Sequence, residues 1–174
     1  LLGLVGSEMC IRDSLRDARD AEVGRVTEYG ELYQTLDLER STAHPRARPK
    51  LNFIHPFALL VTLLQCVSFS VYLEHLYDTK PPTAESPWQL LLYSDEVTPG
   101  NQLAPANDRK IQTIYWSFLE FDHRLSDENY WFPLTAKRSS VLDEVSGGMS
   151  QLFGELLKIL FVREPFELGG VSFT

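Results

Sequence analysis

An α+β fold is predicted by a succession of β-forming segments after Pro87, an amphipathic helix behind them and one long uncharged stretch ahead of them. Residues 88–97 (WQLLLYSDEV) form a short, nearly continuous apolar run, which suits a buried strand. Residues 110–120 (KIQTIYWSFLE) are β-branched and aromatic. Residues 130–136 (YWFPLTA) read as a third strand, in which Pro133 marks an edge or a bulge. In 149–162 (MSQLFGELLKILFV), Leu152, Leu156, Ile159 and Leu160 gather on one helical stripe, and Pro165 ends the helix. Gly169-Gly170 then lead into Val171-Ser172-Phe173-Thr174, the expected start of a fourth strand.

Upstream, 25–38 (RVTEYGELYQTLDL) places Leu32, Gln34, Leu36 and Leu38 on one face and Tyr33, Thr35 and Asp37 on the other. A strand is expected there, with a hairpin about Tyr29-Gly30. Residues 41–50 (STAHPRARPK) form an aperiodic, proline-rich connector. Pro56 suits the first position of a helix that is expected to run to about Tyr77 and to stop before Pro81-Pro82. Its uncharged part, 57–73, approaches the length of a membrane span, roughly 17–25 residues. Thr62, Gln65, Ser68 and Ser70 dilute it, however, and no basic cluster or tryptophan belt flanks it, so a buried core helix is expected instead. Residues 81–87 have linker composition. The expected organisation is a strand-and-helix segment over 15–80, a linker over 81–87 and a second segment over 88–174.

Residues 1–14 are set apart from this fold. Glu8-Met9-Cys10-Ile11-Arg12-Asp13 is the translation of GAG-ATG-TGT-ATA-AGA-GAC, part of the transposase mosaic end used in preparing sequencing libraries. The native polypeptide is therefore expected to begin near Leu15, in mid-gene. Within 174 residues there is room for one domain with a full core. Hydrophobic content of 44% with 23% charged residues fits a folded chain. A net charge of −8 argues against broad, non-specific binding to nucleic-acid phosphate, though not against a nuclease core, whose metal-binding carboxylates are themselves acidic. With Cys10 in the adapter-derived stretch, Cys66 stands alone, so no disulfide framework or cysteine-rich zinc site is expected. A reducing, intracellular compartment is the expectation, the nucleus among the options.

From Trp88 onward the order strand, strand, strand, helix, strand matches the start of the RNase H-like core of transposases and integrases. That likeness implies a first catalytic Asp on the first strand and a second at or after the fourth. With a later acidic residue they would hold two divalent metals for phosphodiester cleavage. Asp95, at the end of an apolar strand, takes the first position as candidate catalytic residue and metal ligand, with Mg²⁺ or Mn²⁺ as the fitting ion. Glu96 points to the opposite face of such a strand. The second Asp would lie beyond Thr174, which makes 88–174 a truncated core. Asn101, Arg109 and Lys110 flank the loop beyond Asp95 and are candidates for positioning a phosphate. The stretch from Asp95 to Asn101 equally fits a strand-end turn, in which Asp95 is an ordinary surface residue.

Between positions 27 and 161, TEYGELYQTLDL, IHPFALL, LYSDEVTPGN, RKIQTIYWSFLEF, YWF and GGMSQLFGELLKILF resemble a much-repeated family in protist genome and transcript assemblies. Its members are similar to fragments of transposable elements. LYSDEVTPGN followed by RKIQTIYWSF is the most specific part. The resemblance implies a mobile-element origin and assigns no residue a role. The expected function is thus that of a transposase- or integrase-like fragment whose partner is DNA. The alternative is a non-catalytic interaction or accessory domain from the same kind of element.

Other motifs read as structural. His44, His55, His75 and His123 lack metal-ligand spacing. Ser139-Ser140 and Ser146-Gly147-Gly148 are not a nucleophile elbow, and Gly147-Gly148 lacks the Lys-Ser/Thr of a phosphate loop. Trp116, Phe118, Trp131 and Phe132 fit core packing better than base stacking, and Arg46, Arg48 and Lys50 fit a solvated connector.

Overall fold

The computed structural model describes residues 24–41, 49–98 and 110–161. The expectations for 1–14 and for the fourth strand at 171–174 lie outside the described residues. The chain divides into two compact units, 1–34 with 54–87, and 35–53 with 88–174. The second unit thus takes two strands from ahead of the linker.

In the first unit, β1 (Val26–Thr27) and β2 (Gly30–Glu31) pair antiparallel, with Val26 opposite Glu31. Thr27 closes the turn: its hydroxyl accepts from the Tyr29 amide and donates to the Gly30 carbonyl, each at 3.1 Å. Gly30, at φ 91°, supplies the left-handed backbone that the turn needs. The hairpin expected about Tyr29-Gly30 therefore forms, with its strands shorter than the pattern suggests.

The expected single helix is two helices, α1 (Pro56–Leu63) and α2 (Val67–Thr79), bent by 106°. Pro56 sits in the first turn of α1, and His55 caps it, Nδ1 accepting from the Ala58 amide at 3.4 Å. The break falls at Cys66, whose extended backbone (φ −82°, ψ 113°) makes it the N-cap of α2. Polar side chains flank it with local hydrogen bonds that compete with a continuous helix: Thr62 donates to the Ala58 carbonyl at 2.9 Å, and Ser68 lies 3.2 Å from the Cys66 sulfur. The two helices bury only Pro56, Ala58 and Leu76, while Val67 is 77% exposed, so this is not the core helix that its lack of charge suggests. Among the described residues no single helix is long and apolar enough to cross a membrane.

The second unit is built on a mostly antiparallel five-stranded sheet of order β3-β4-β7-β6-β5. Its strands are β3 (Tyr33–Asp37), β4 (Lys50–Ile54), β5 (Leu90–Val97), β6 (Ile111–Phe118) and β7 (Phe132–Arg138). The three strands expected between 88 and 136 are present as the meander β5-β6-β7. Asp95 stands opposite Thr113, Tyr93 opposite Tyr115, and Ile111 opposite Arg138. A register shift beside Tyr115 accommodates Pro133, so the proline marks a bulge inside the sheet and not an edge.

Alternation separates the two faces of this sheet. Leu51, Phe53, Ile114, Trp116 and Phe132 are buried on one face. Trp116 packs against Phe132 and Phe118 with ring centroids 4.9 and 5.6 Å apart, and Phe121 adds edge-on contacts to both phenylalanines. On the other face Thr35, Asp37, Lys50, Asn52, Tyr93, Asp95, Val97, Pro133, Ala136 and Arg138 are exposed, while on the central strand β6 Thr113 and Ser117 are buried and Ile111 and Tyr115 half-buried.

After β7 come α3 (Ser139–Leu142) and α4 (Met149–Phe161), whose Leu152 and Leu156 are buried as the stripe pattern requires. An ion pair between Arg40 and Glu144 joins the end of β3 to the turn after α3. Ser41 N–H···O Glu144 at 3.0 Å and Ser146 N–H···O Glu39 at 2.9 Å reinforce it.

Asp122 adopts φ 50°, ψ −117° in the 3₁₀ segment Leu119–Ser126, a conformation that strains any residue with a Cβ. Asp122→Gly is expected to stabilise the fold by about 0.5–1 kcal/mol, the relieved strain exceeding the entropy of an added glycine. A higher urea midpoint at unchanged slope would confirm it; a lower midpoint would refute it. Leu156→Ala, which empties a fully buried site, is expected to cost about 2–5 kcal/mol in the same assay.

Candidate functional site

Asp95 is the sixth of the eight residues of β5 and is exposed on the open face of the sheet. Its backbone carbonyl accepts from the Thr113 hydroxyl at 3.2 Å, so the neighbouring strand holds the main chain in place and leaves the carboxylate to solvent. It belongs to the strand itself and not to a turn, because the ladder with β6 continues to Val97 opposite Ile111.

Glu96 projects from the opposite face, as the period of two requires, and there it is fully engaged. Its carboxylate accepts from Lys110 Nζ at 2.7 Å, from Gln112 Nε2 at 3.0 Å and from Ser139 Oγ at 3.1 Å. Strand geometry explains this convergence. Gln112 is the cross-strand partner of Glu96, Lys110 immediately precedes β6, and Ser139 follows the last residue of β7. Hydrogen bonding to Lys110 is the main reason that the Glu96 carboxyl lies below the usual carboxylate range. Desolvation opposes this, while the Ser139 and Gln112 bonds add to it.

The structure therefore joins Lys110 to Glu96 and not to Asp95. Asn101 and Arg109 lie outside the described residues. No group of three His, Cys, Asp or Glu side chains comes together among the described residues. The described histidines are separate as well, His44 lying outside the described residues. His55 caps α1 with its ring near Tyr29 and Phe57, His75 is exposed on α2, and His123 is exposed in the 3₁₀ segment. Cys66 is an exposed free thiol, held below its ordinary range chiefly by the Ser68 hydroxyl and also by the Phe69 and Ser68 amides.

The aromatic residues sort by face. Trp116, Phe118 and Phe132 belong to the ring cluster that packs the core, as their alternation suggests, whereas Trp131, grouped with them in the sequence, is half-buried and packs against Tyr93 instead. Tyr93 and Tyr115 are cross-strand neighbours on the other face, where Tyr93 is 50% exposed and meets Trp131 edge-on at 5.9 Å. Sequence reasoning passed over this pair. The signal was present in the odd-numbered positions of β5 and β6, once their register was known. Compared with family models, curated proteins and solved structures, the chain matches none.

Because its folded-state pKa is lowered, Glu96 stabilises the fold above its unfolded value of about 4.3. That contribution disappears as the pH falls through the folded-state value. Glu96→Gln is expected to lie below the native chain in urea midpoint at pH 6 and to approach it as the pH is lowered through the folded-state value. A gap that stayed constant across this range would refute the ionic role of Glu96.

Proposed function

We propose that this chain is a non-catalytic interaction domain of a mobile-element protein, with the open face of the five-stranded sheet as its working surface. The observation that carries this reading is the composition of the open face, where Tyr93, Val97, Pro133 and Ala136 lie exposed beside Asp95. Glu96 is committed to Lys110, Gln112 and Ser139, and Asp95 stands exposed with no set of acidic partners among the described residues. An antiparallel sheet with one packed face commonly leaves its other face to solvent, and that face then carries polar residues. Here it also carries Tyr93, Val97, Pro133 and Ala136, which solvation alone does not require. The mobile-element origin rests on the sequence resemblance.

A second reading, a transposase-like core using Mg²⁺ or Mn²⁺ at Asp95 to cleave a DNA phosphodiester, has one structural observation in its favour. The meander β5-β6-β7 is followed by helices, and β5 is the terminal strand among the described residues, where a fourth strand would add. Paramagnetic broadening separates the two readings. Titration of the ¹⁵N-labelled chain with Mn²⁺ is expected to leave the amides of Ser94, Asp95, Glu96 and Thr113 no more broadened than other exposed amides. Selective loss of those signals, abolished by Asp95→Asn, would replace the interaction reading with the nuclease one.

A further inference from the structure

The geometry points to a second copy of this chain as the partner of the open sheet face, an inference that rests on the interaction reading above. The outward positions of the sheet fall into rows across the strands. Val97, Ile111 and Arg138 share one row; Asp95, Thr113 and Ala136 share the next; Tyr93, Tyr115 and Pro133 form a third, with Thr113 buried and Ile111 and Tyr115 half-buried between their exposed neighbours. On β4 and β3 the same face carries Lys50, Asn52, Thr35 and Asp37, with Thr35 and Asn52 hydrogen-bonded side chain to side chain at 3.1 Å.

Charge singles out the occupant. The chain carries a net charge of −8, so a surface of average composition would repel its own copy, and it would repel nucleic-acid phosphate too. The open face is balanced instead, Lys50 and Arg138 offsetting Asp37 and Asp95. A balanced, partly aromatic patch lets two copies of an acidic chain meet without net repulsion, and each cation finds carboxylates across the contact. A polyanion would gain two cations there and meet two carboxylates, which leaves little net attraction.

Size sets the strength. Five strands about 4.8 Å apart and three outward rows about 6.8 Å apart give about 480 Å² per copy, so a face-to-face pair buries on the order of 1,000 Å². That is the lower bound for a specific interface and lies in the size range of weak, reversible contacts.

Sedimentation velocity of the full chain from about 5 to 500 μM, under reducing conditions so that Cys10 and Cys66 cannot cross-link, is the test. The expected result is a concentration-dependent shift from monomer to dimer. Arg138→Glu leaves each face with a net charge of −2, and it should weaken the dimer at least tenfold. Asp95→Arg added to that variant restores the balance and should recover most of the lost affinity. Far-UV circular dichroism and the urea midpoint verify that both variants fold, and Arg138→Gln provides a milder variant should the reversal impair folding. A native chain that stays monomeric at about 500 μM overturns the second-copy assignment while leaving the interaction reading to the Mn²⁺ experiment. A dimer that Arg138→Glu and Arg138→Gln leave within twofold of native affinity overturns the assignment to this face.

Discussion

Trp116 and the rings around it fix which way the sheet faces. β6 is the strand shared by both halves of the meander, paired with β5 over eight residues and with β7 across a bulge. Its side toward the aromatic core carries Ile114 and Trp116, and Phe132 answers from the next strand. A slip of one residue in either pairing would expel these side chains into water and bring polar ones inward, so the register is strongly specified. Burial of a tryptophan and two phenylalanines is worth several kcal/mol, which exceeds anything the exposed polar positions could offer in compensation. Thr113 and Ser117, on the other side of β6, are buried as well, so the exposed outward positions belong to the strands that flank β6.

The contrast between Asp95 and Glu96 is a direct result. Adjacent in sequence, they differ only in parity, and parity places one among Lys110, Gln112 and Ser139 and the other in solvent beside Thr113. An ion pair as exposed as that of Lys110 and Glu96 contributes little to overall stability. Its effect is positional, since it ties the start of β6 and the end of β7 to the far end of β5. The open face owes its composition to the same parity.

Much of this architecture was legible in the residues. The alternation of Leu32 to Leu38 gives the observed alternation of burial, and the stripe of Leu152 and Leu156 is buried as read. The strands of the meander lie where the sequence has an apolar run (β5) and where β-branched and aromatic residues concentrate (β6 and β7). Two features were hidden for physical reasons. The bend at Cys66 depends on local hydrogen bonds from Thr62 and Ser68, which hydrophobic content does not register. The recruitment of β3 and β4 to the far edge of β7 is a long-range pairing, and local pattern carries no information about it. The site was legible to the same extent. The strand position of Asp95 and the opposed facing of Glu96 follow from alternation, but the binding of Lys110 to Glu96 needs the register between two strands.

The recruitment of β3 and β4 also governs the order in which the molecule comes into being on the ribosome. Thr135 donates its hydroxyl to the carbonyl of Asn52, 83 positions earlier, and Arg40 reaches Glu144 across 104. At about 5–20 residues per second, β4 therefore emerges roughly 4–17 s before the strand it must join. During that interval it is an unpaired edge carrying Leu51 and Phe53, two residues that end up almost wholly buried. The nascent chain thus passes through a period in which sticky backbone waits for a late partner, and its yield depends on what keeps that edge covered until β7 arrives.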